Sequence, residues 1–220
     1  MYKSLESTKK KLIAMGYKVD DPWDIVDVFE KMIAKYAGSK YAVSVDNCTN
    51  AIFLCLKYKN PKEHIIEIPA KTYVSVPQAI IHAGYKPLFK DIDWNGNYNL
   101  GKTGIIDSAT RFTKEMYIPD SFMCLSFHLK KILNIGKGGM ILTNDFEAYK
   151  WFKKARYEGR DITKLYEQDD IDTLGWNMYM PPEQACYGIE TFLNLPETNR
   201  DCGGSWKYPD VRNFKCFTGL

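Results

Sequence analysis

The chain has 220 residues, 45% of them hydrophobic, enough to bury one substantial core, so a single main domain is expected. Its formal charge of +3 is small, cations alternate with carboxylates, and the lone consecutive triplet Lys9-Lys10-Lys11 reads as a solvated helix face, which excludes a nucleic-acid footprint. No apolar stretch approaches the roughly 20 residues of a membrane span, and the N-terminus lacks an apolar signal core. Six scattered cysteines without a CxxC pair favour neither zinc nor a disulfide scaffold, so a reducing cytoplasm is the expected setting.

Asp21-Pro22 has the form of a helix start, with Asp as N-cap and Pro at the first helical position. Apolar residues from Ile25 to Tyr36 then recur at helical spacing as far as Gly38. Tyr41 to Val45 reads as a buried strand, Asp46 to Asn50 as a turn, and Ala51 to Tyr58 as a helix. A strand at His64 to Ile68, a helix from about Val74 to Ala83 and a strand at Lys86 to Ile92 follow. After Asp93 the chain is polar and glycine-bearing until the short strand ending at Asp107. Phe122 to Phe127 is a further strand, and Met140 to Thr143 another. Helices are expected at Asp145 to Tyr157, closing at Gly159, and at Pro181 to Leu195. The residues from Pro196 onward show no convincing period. Strands alternating with helices predict a three-layer α/β domain with a mainly parallel sheet. Such sheets bind ligands beyond the carboxyl ends of their strands, and Thr49, Asp107 and Lys131 each follow a predicted strand.

The residues there have chemistry to offer. Ser126-Phe127-His128-Leu129-Lys130-Lys131, followed by Gly136-Lys137-Gly138-Gly139, sets lysines on a loop between two strands, where an amine is placed for Schiff-base chemistry. An ordinary solvated loop lysine is the plainer alternative. Asn47-Cys48-Thr49 precedes a helix whose free N–H groups and dipole could seat a phosphate, or the segment could be a simple N-cap. Tyr73 could stack on a flat ring or pack a helix. Asp107 could be a buried acid or a turn residue, and Asn177 a ligand or a turn residue.

In order and spacing these segments resemble the DegT/DnrJ/EryC1/StrS family, nucleotide-sugar aminotransferases that use pyridoxal phosphate on the fold-type I scaffold. The resemblance runs from about Asp24 to Asn199. It implies a coenzyme-binding large domain over residues 1–199 and a tail over residues 200–220, with the usual C-terminal small domain reduced or absent. It also implies contraction between Asp93 and Gly104, leaving no room for the usual strand and helix, and between Asp107 and Ser126.

By that resemblance Lys131, five residues after Ser126, is the Schiff-base and proton-transfer lysine, while Lys130 points to solvent. Asp107 holds the pyridine nitrogen in its protonated form, and Tyr73 stacks on the ring. Cys48, where the family more often has Gly, joins Thr49 and Ser126 in binding the phosphate, and Asn177 reaches the phosphate of a partner subunit across a homodimer. Thr110 stands where Gln is usual, and Tyr179 where Arg is usual. The implied reaction moves an amino group from an amino acid, commonly glutamate, to a keto-sugar nucleotide. Arg156, Arg160 or the tail are candidates to replace missing substrate contacts. Two alternatives stay open: a degenerate coenzyme-binding protein, and an accessory subunit of a longer homologue.

Overall fold

The computed structural model describes residues 2–219, with side-chain surroundings from Leu5 onward. Helix α1 (Tyr2–Ala14) carries the lysine triplet, and α2 (Pro22–Ala37) opens on the expected cap. Asp21 accepts from the Trp23 N–H at 2.8 Å, while the Asp24 carboxylate returns to the Asp21 N–H at 2.9 Å, a reciprocal capping box. Strand β1 (Tyr41–Val45) leads to α3 (Cys48–Lys59), β2 (Ile65–Pro69), α4 (Ser75–His82) and β3 (Lys86–Lys90). Then come β4 (Tyr98–Asn99), β5 (Ile105–Asp107), β6 (Phe122–Ser126), β7 (Gly139–Thr143), α5 (Phe146–Ala155) and α6 (Pro182–Phe192).

The main sheet runs β1-β7-β6-β5-β4, and β2 and β3 form a separate parallel pair. The mainly parallel sheet expected from the sequence therefore needs refinement. β1, β5 and β6 do share one direction, but β7 inserts antiparallel between β1 and β6, and β4 adds antiparallel to β5. The cause is local: the glycine-bearing loop after β6 returns the chain beside it instead of crossing over through a helix.

Strand periodicity divides the core into two layers. Ala42, Met123, Leu125, Met140 and Leu142 face one way, onto α2 and α6. Val43, Val45, Phe122, Cys124 and Ile141 face the other way, onto α3 and α5. Both faces are covered, which explains why these strands read as continuous apolar runs.

Behind β1 lies a buried ion cluster. Glu30 accepts from the Ser44 N–H and Oγ, each at 2.8 Å, and pairs with Arg156 and with Lys153, the latter at 3.0 Å. The guanidinium of Arg156 also donates to the Ser44 carbonyl at 2.6 Å. Burial pushes the Glu30 carboxyl up, yet the Arg156 and Lys153 charges outweigh it and hold the group down at about 2.

Residues 200–219 contain three short 3-10 turns and fold back over the ends of the strands. The Cys202 N–H donates to the Thr110 carbonyl at 2.8 Å, the Gly96 N–H to the Gly203 carbonyl at 3.0 Å, and the Val211 N–H to the Ala70 carbonyl at 2.9 Å. Arg111 grips Asp201 through two bonds of 2.9 and 2.6 Å. This strap is seated largely by backbone bonds, which is why its sequence carried no periodic signal. No helix among the described residues is long and apolar enough to cross a membrane.

Candidate active site

The strands that share a direction end on one side of the sheet, where a cavity of about 650 Å³ opens. Cys48, Thr49, Tyr73, Asp107, Ser126 and Lys131 all line it. They arrive from four separate segments, the start of α3, the loop before α4, the end of β5 and the run from Ser126 to Lys131, so only the tertiary fold brings them together.

Asp107 ends β5 and is 5% exposed. Its Oδ1 accepts from the Ala109 N–H at 2.9 Å, and its Oδ2 accepts from the Tyr98 hydroxyl at 2.8 Å. Tyr98 has one proton to give, so the Thr72 hydroxyl, 2.6 Å away, donates to the Tyr98 oxygen. The three buried groups form a relay that ends on the carboxylate. Burial pushes the Asp107 carboxyl up, while the Ala109 and Tyr98 bonds and the nearby Lys131 charge pull it back. The net direction is upward, the condition of a carboxylate short of positive charge.

Thr49 and Cys48 occupy the first turn of α3. Asn47 caps the helix by accepting from the Asn50 N–H at 2.8 Å, and the Ala51 N–H donates to the Asn47 carbonyl at 3.1 Å. The N–H groups of Cys48 and Thr49 have no intrahelical acceptor, which makes them donors for an anion. The Thr49 hydroxyl shares a 2.7 Å bond with that of Ser75. The Cys48 thiol turns inward, 3.9 Å from Asp107 Oδ1 and 3.5 Å from the Cys124 carbonyl, so its backbone and not its sulfur faces an incoming phosphate. Ser126 ends β6, paired across the sheet with Gly139. A Cβ at Gly139 would lie 2.5 Å from the Asn47 carbonyl carbon and 2.7 Å from the Cys48 nitrogen, so only glycine lets β7 abut the start of α3.

The lysine loop is closed by the bonds Leu129 N–H to Gly136 carbonyl at 3.1 Å and Ile135 N–H to Phe127 carbonyl at 3.0 Å, and is anchored by buried Leu133. Lys131 is half-buried and its charge acts on both Asp107 and Cys48. Lys130 is exposed and also borders the cavity.

Tyr73 is 59% exposed at the rim, with its ring 6.3 Å from that of Tyr208. Asn177 does not line the cavity of its own chain; its amide donates to Glu158 Oε1 at 2.7 Å. Neither Arg156, locked in the ion cluster, nor Arg160, stacked over Tyr166 at 4.8 Å, borders the cavity. Tyr179, where Arg was expected, packs among Trp23 and Tyr157 with centroids 5.4 and 4.7 Å away. The Thr110 hydroxyl bonds the Gly96 and Gly203 carbonyls at 2.9 and 2.8 Å, tying the strap to the cavity.

Several cavity residues escaped the sequence reading: Thr72, Trp94, Cys202, Lys207 and Tyr208. Tyr98, which backs Asp107, escaped too, because it lies in the polar stretch after Asp93 where a strand was thought to have no room. The alternation of buried Tyr98 and Leu100 around exposed Asn99 was the available signal.

A model of the DegT/DnrJ/EryC1/StrS aminotransferase family matches residues 17–119 and 118–203. The chain belongs to this aminotransferase family. Among curated relatives, the spore coat polysaccharide biosynthesis protein SpsC of Bacillus subtilis is 36% identical over 54% of this chain and 31% of its own length. The UDP-4-amino-4,6-dideoxy-N-acetyl-beta-L-altrosamine transaminase of Helicobacter pylori is 21% identical over 77% of this chain and 56% of its own. A crystal structure of a putative PLP-dependent aminotransferase from Bacillus cereus superposes with a TM-score of 0.68 at 20% identity, covering 86% of this chain and 63% of that one, which supports the fold. The match thus spans between 31% and 63% of the length of these relatives.

Members of the DegT/DnrJ/EryC1/StrS family depend on pyridoxal phosphate. The residues at the cavity of this member fit that coenzyme: a buried carboxylate wanting a cationic partner, an amine near it, orphan N–H donors at a helix start and a ring wall at the rim.

Proposed function

We propose that this chain is a pyridoxal-phosphate-dependent aminotransferase that moves an amino group from an amino acid, commonly glutamate in the family, to a keto-sugar nucleotide. The observation that carries this reading is the convergence of six motif residues, from four separate segments, on one cavity. In it the N–H groups of Cys48 and Thr49, with the hydroxyls of Thr49 and Ser126, hold the coenzyme phosphate. Tyr73 covers the ring, and Asp107 balances the charge of a protonated pyridine nitrogen. Bound there, pyridoxal phosphate supplies an aldehyde that captures an amine and a ring that accepts the electrons of a broken Cα–H bond. Lys131 Nζ would anchor the coenzyme's aldehyde and, once freed by the donor amine, would take the proton from the donor Cα and deliver it to the carbon that had been the aldehyde. Asp107, low in solvent and positioned by Tyr98, keeps the ring electron-poor throughout.

The reading includes a homodimer in which the partner subunit's Asn177 reaches the phosphate, and a cytoplasmic setting where the scattered thiols stay reduced. Support for the dimer is that Asn177 sits away from the cavity of its own chain, exposed between half-buried Trp176 and Met178 on a segment pinned beside the end of α5.

The test is the visible spectrum of the purified chain with coenzyme, before and after borohydride. Lys131→Ala should remove the visible band and the borohydride-trapped adduct, and Lys130→Ala should keep both; the reverse would reassign the lysine, and no band at all would end the proposal. A second reading, a coenzyme-binding protein without turnover or an accessory subunit of a longer homologue, is favoured by Tyr179, which stands where the family usually has Arg and packs against Trp23 and Tyr157. Adding glutamate discriminates: a shift of the band to the ultraviolet excludes the inactive form.

A further inference from the structure

The coenzyme reading leaves one side of the cavity without a task. Lys130, Lys131, Lys137 and Lys207 line it against a single carboxylate, Asp107. Lys131 is assigned to the aldehyde, and the phosphate to the start of α3. Lys137 is only loosely held by Asp46, at 3.4 Å and 70% exposed. Among the described residues Lys130 and Lys207 make no ion pair, and Lys207 Nζ donates to the Cys202 carbonyl at 2.6 Å. A cavity with this surplus of cations draws a second anion.

Beside Lys207 stands an aromatic wall. The Trp94 indole N–H is fixed by the Lys71 carbonyl at 2.9 Å, and its ring stacks on Tyr208 with centroids 5.7 Å apart and planes 21° apart. Tyr98 packs on the same indole at 4.7 Å. Both Trp94 and Tyr208 line the cavity, and both are held by the strap, since the Ser205 N–H donates to the Trp94 carbonyl at 3.0 Å. A rigid, flat, prestacked surface suits a planar ring, and lysines lining the same cavity suit a phosphate chain.

We propose that residues 201–211 and Trp94 form a nucleoside-diphosphate subsite, with the base stacking on Tyr208 and the diphosphate met by Lys207 and Lys130. The subsite deepens the sugar-nucleotide reading above and rests on it for its role in turnover. A sugar monophosphate would satisfy the cations but leave the aromatic wall unused. Tyr208 and Lys207 lie beyond the span matched by the family model, whereas Trp94 and Lys130 lie within it.

Calorimetric titrations with UDP, dTDP, uridine, pyrophosphate and glucose 6-phosphate test this on the coenzyme-loaded protein. UDP or dTDP should bind best. Tyr208→Ala should weaken UDP about tenfold or more and leave pyrophosphate unchanged, whereas Lys207→Ala should weaken both. Hydrogen exchange of the wild-type chain gives a second reading: UDP should slow exchange in residues 201–208. Equal binding of glucose 6-phosphate, UDP affinity indifferent to both substitutions, or no protection of the strap would overturn the proposal. The visible coenzyme band should persist in both variants, and UDP binding is also measured without coenzyme. Loss of the band in the wild type would therefore count against the coenzyme reading, and loss of UDP binding against the subsite.

Discussion

Tyr98 donates its phenolic proton to Asp107 Oδ2 at 2.8 Å, from a two-residue strand paired directly against the strand that carries the acid. That bond stabilises the ionised carboxylate against burial, so Tyr98 sets how readily Asp107 gives up its proton. Burial holds the Asp107 carboxyl above its ordinary 3.8, so this group favours the fold most below 3.8 and that contribution is lost as pH rises through the folded value. Tyr98→Phe removes the lowering bond and moves the carboxyl further up. In the coenzyme-free protein, carbon-13 carboxylate titration should find Asp107 ionising at higher pH in the variant. The stability deficit of Tyr98→Phe should be about 1–3 kcal/mol and larger at neutral pH than in acid. An unchanged titration would remove Tyr98 from this role.

The opposite sign holds at Glu30. Its carboxyl falls from 4.5 in the open chain to about 2 in the fold, so its contribution is present above 4.5 and disappears as pH drops towards 2. Glu30→Gln should lose roughly 3–5 kcal/mol at neutral pH, because it leaves Arg156 buried without its partner. Urea denaturation from pH 7 to pH 3 should give a shallower decline for the variant than for the wild type.

Gly139→Ala tests the seam between β7 and α3. The added methyl meets backbone atoms of Asn47 and Cys48, which cannot rotate aside, so a loss of about 1–3 kcal/mol is expected. In the proposed coenzyme site the Cys48 N–H is a phosphate donor, so coenzyme affinity measured by titrating the visible band should fall as well. Intact affinity with reduced stability would place the phosphate elsewhere.

Thr110→Val deletes the hydroxyl that ties Gly96 and Gly203 together. Hydrogen exchange should quicken at residues 201–205 while the Glu30 cluster, on the far side of β1, keeps its protection. A uniform increase across the chain would mean that Thr110 supports the whole fold and not the strap alone.

Much of the fold was legible because its signals are local. Asp21-Pro22 and Gly38 delimited α2 through capping chemistry, and the apolar runs at Tyr41 to Val45 and Phe122 to Phe127 announced strands covered on both faces. Three features were not legible. β4 is two residues long and owes its existence to pairing with β5, so the alternation of Tyr98, Asn99 and Leu100 was too short to announce it alone. The antiparallel placement of β7 depends on the course of the loop that includes Lys131. The strap is held by backbone bonds, which any sequence could make.

What the sequence determined by itself was the set of chemical groups and their order: an amine five residues after Ser126, an acid at a strand end, hydroxyls at a helix start. Periodicity and capping are encoded residue by residue, so those elements form wherever the chain is read. Tertiary structure alone decided which groups share a cavity: it admitted Lys130, Tyr98, Lys207 and Tyr208, kept Asn177 and Arg156 out, and pressed β7 against α3. Such proximity comes from the order and direction of strands, and charge and burial then act through space on groups that the linear chain keeps far apart.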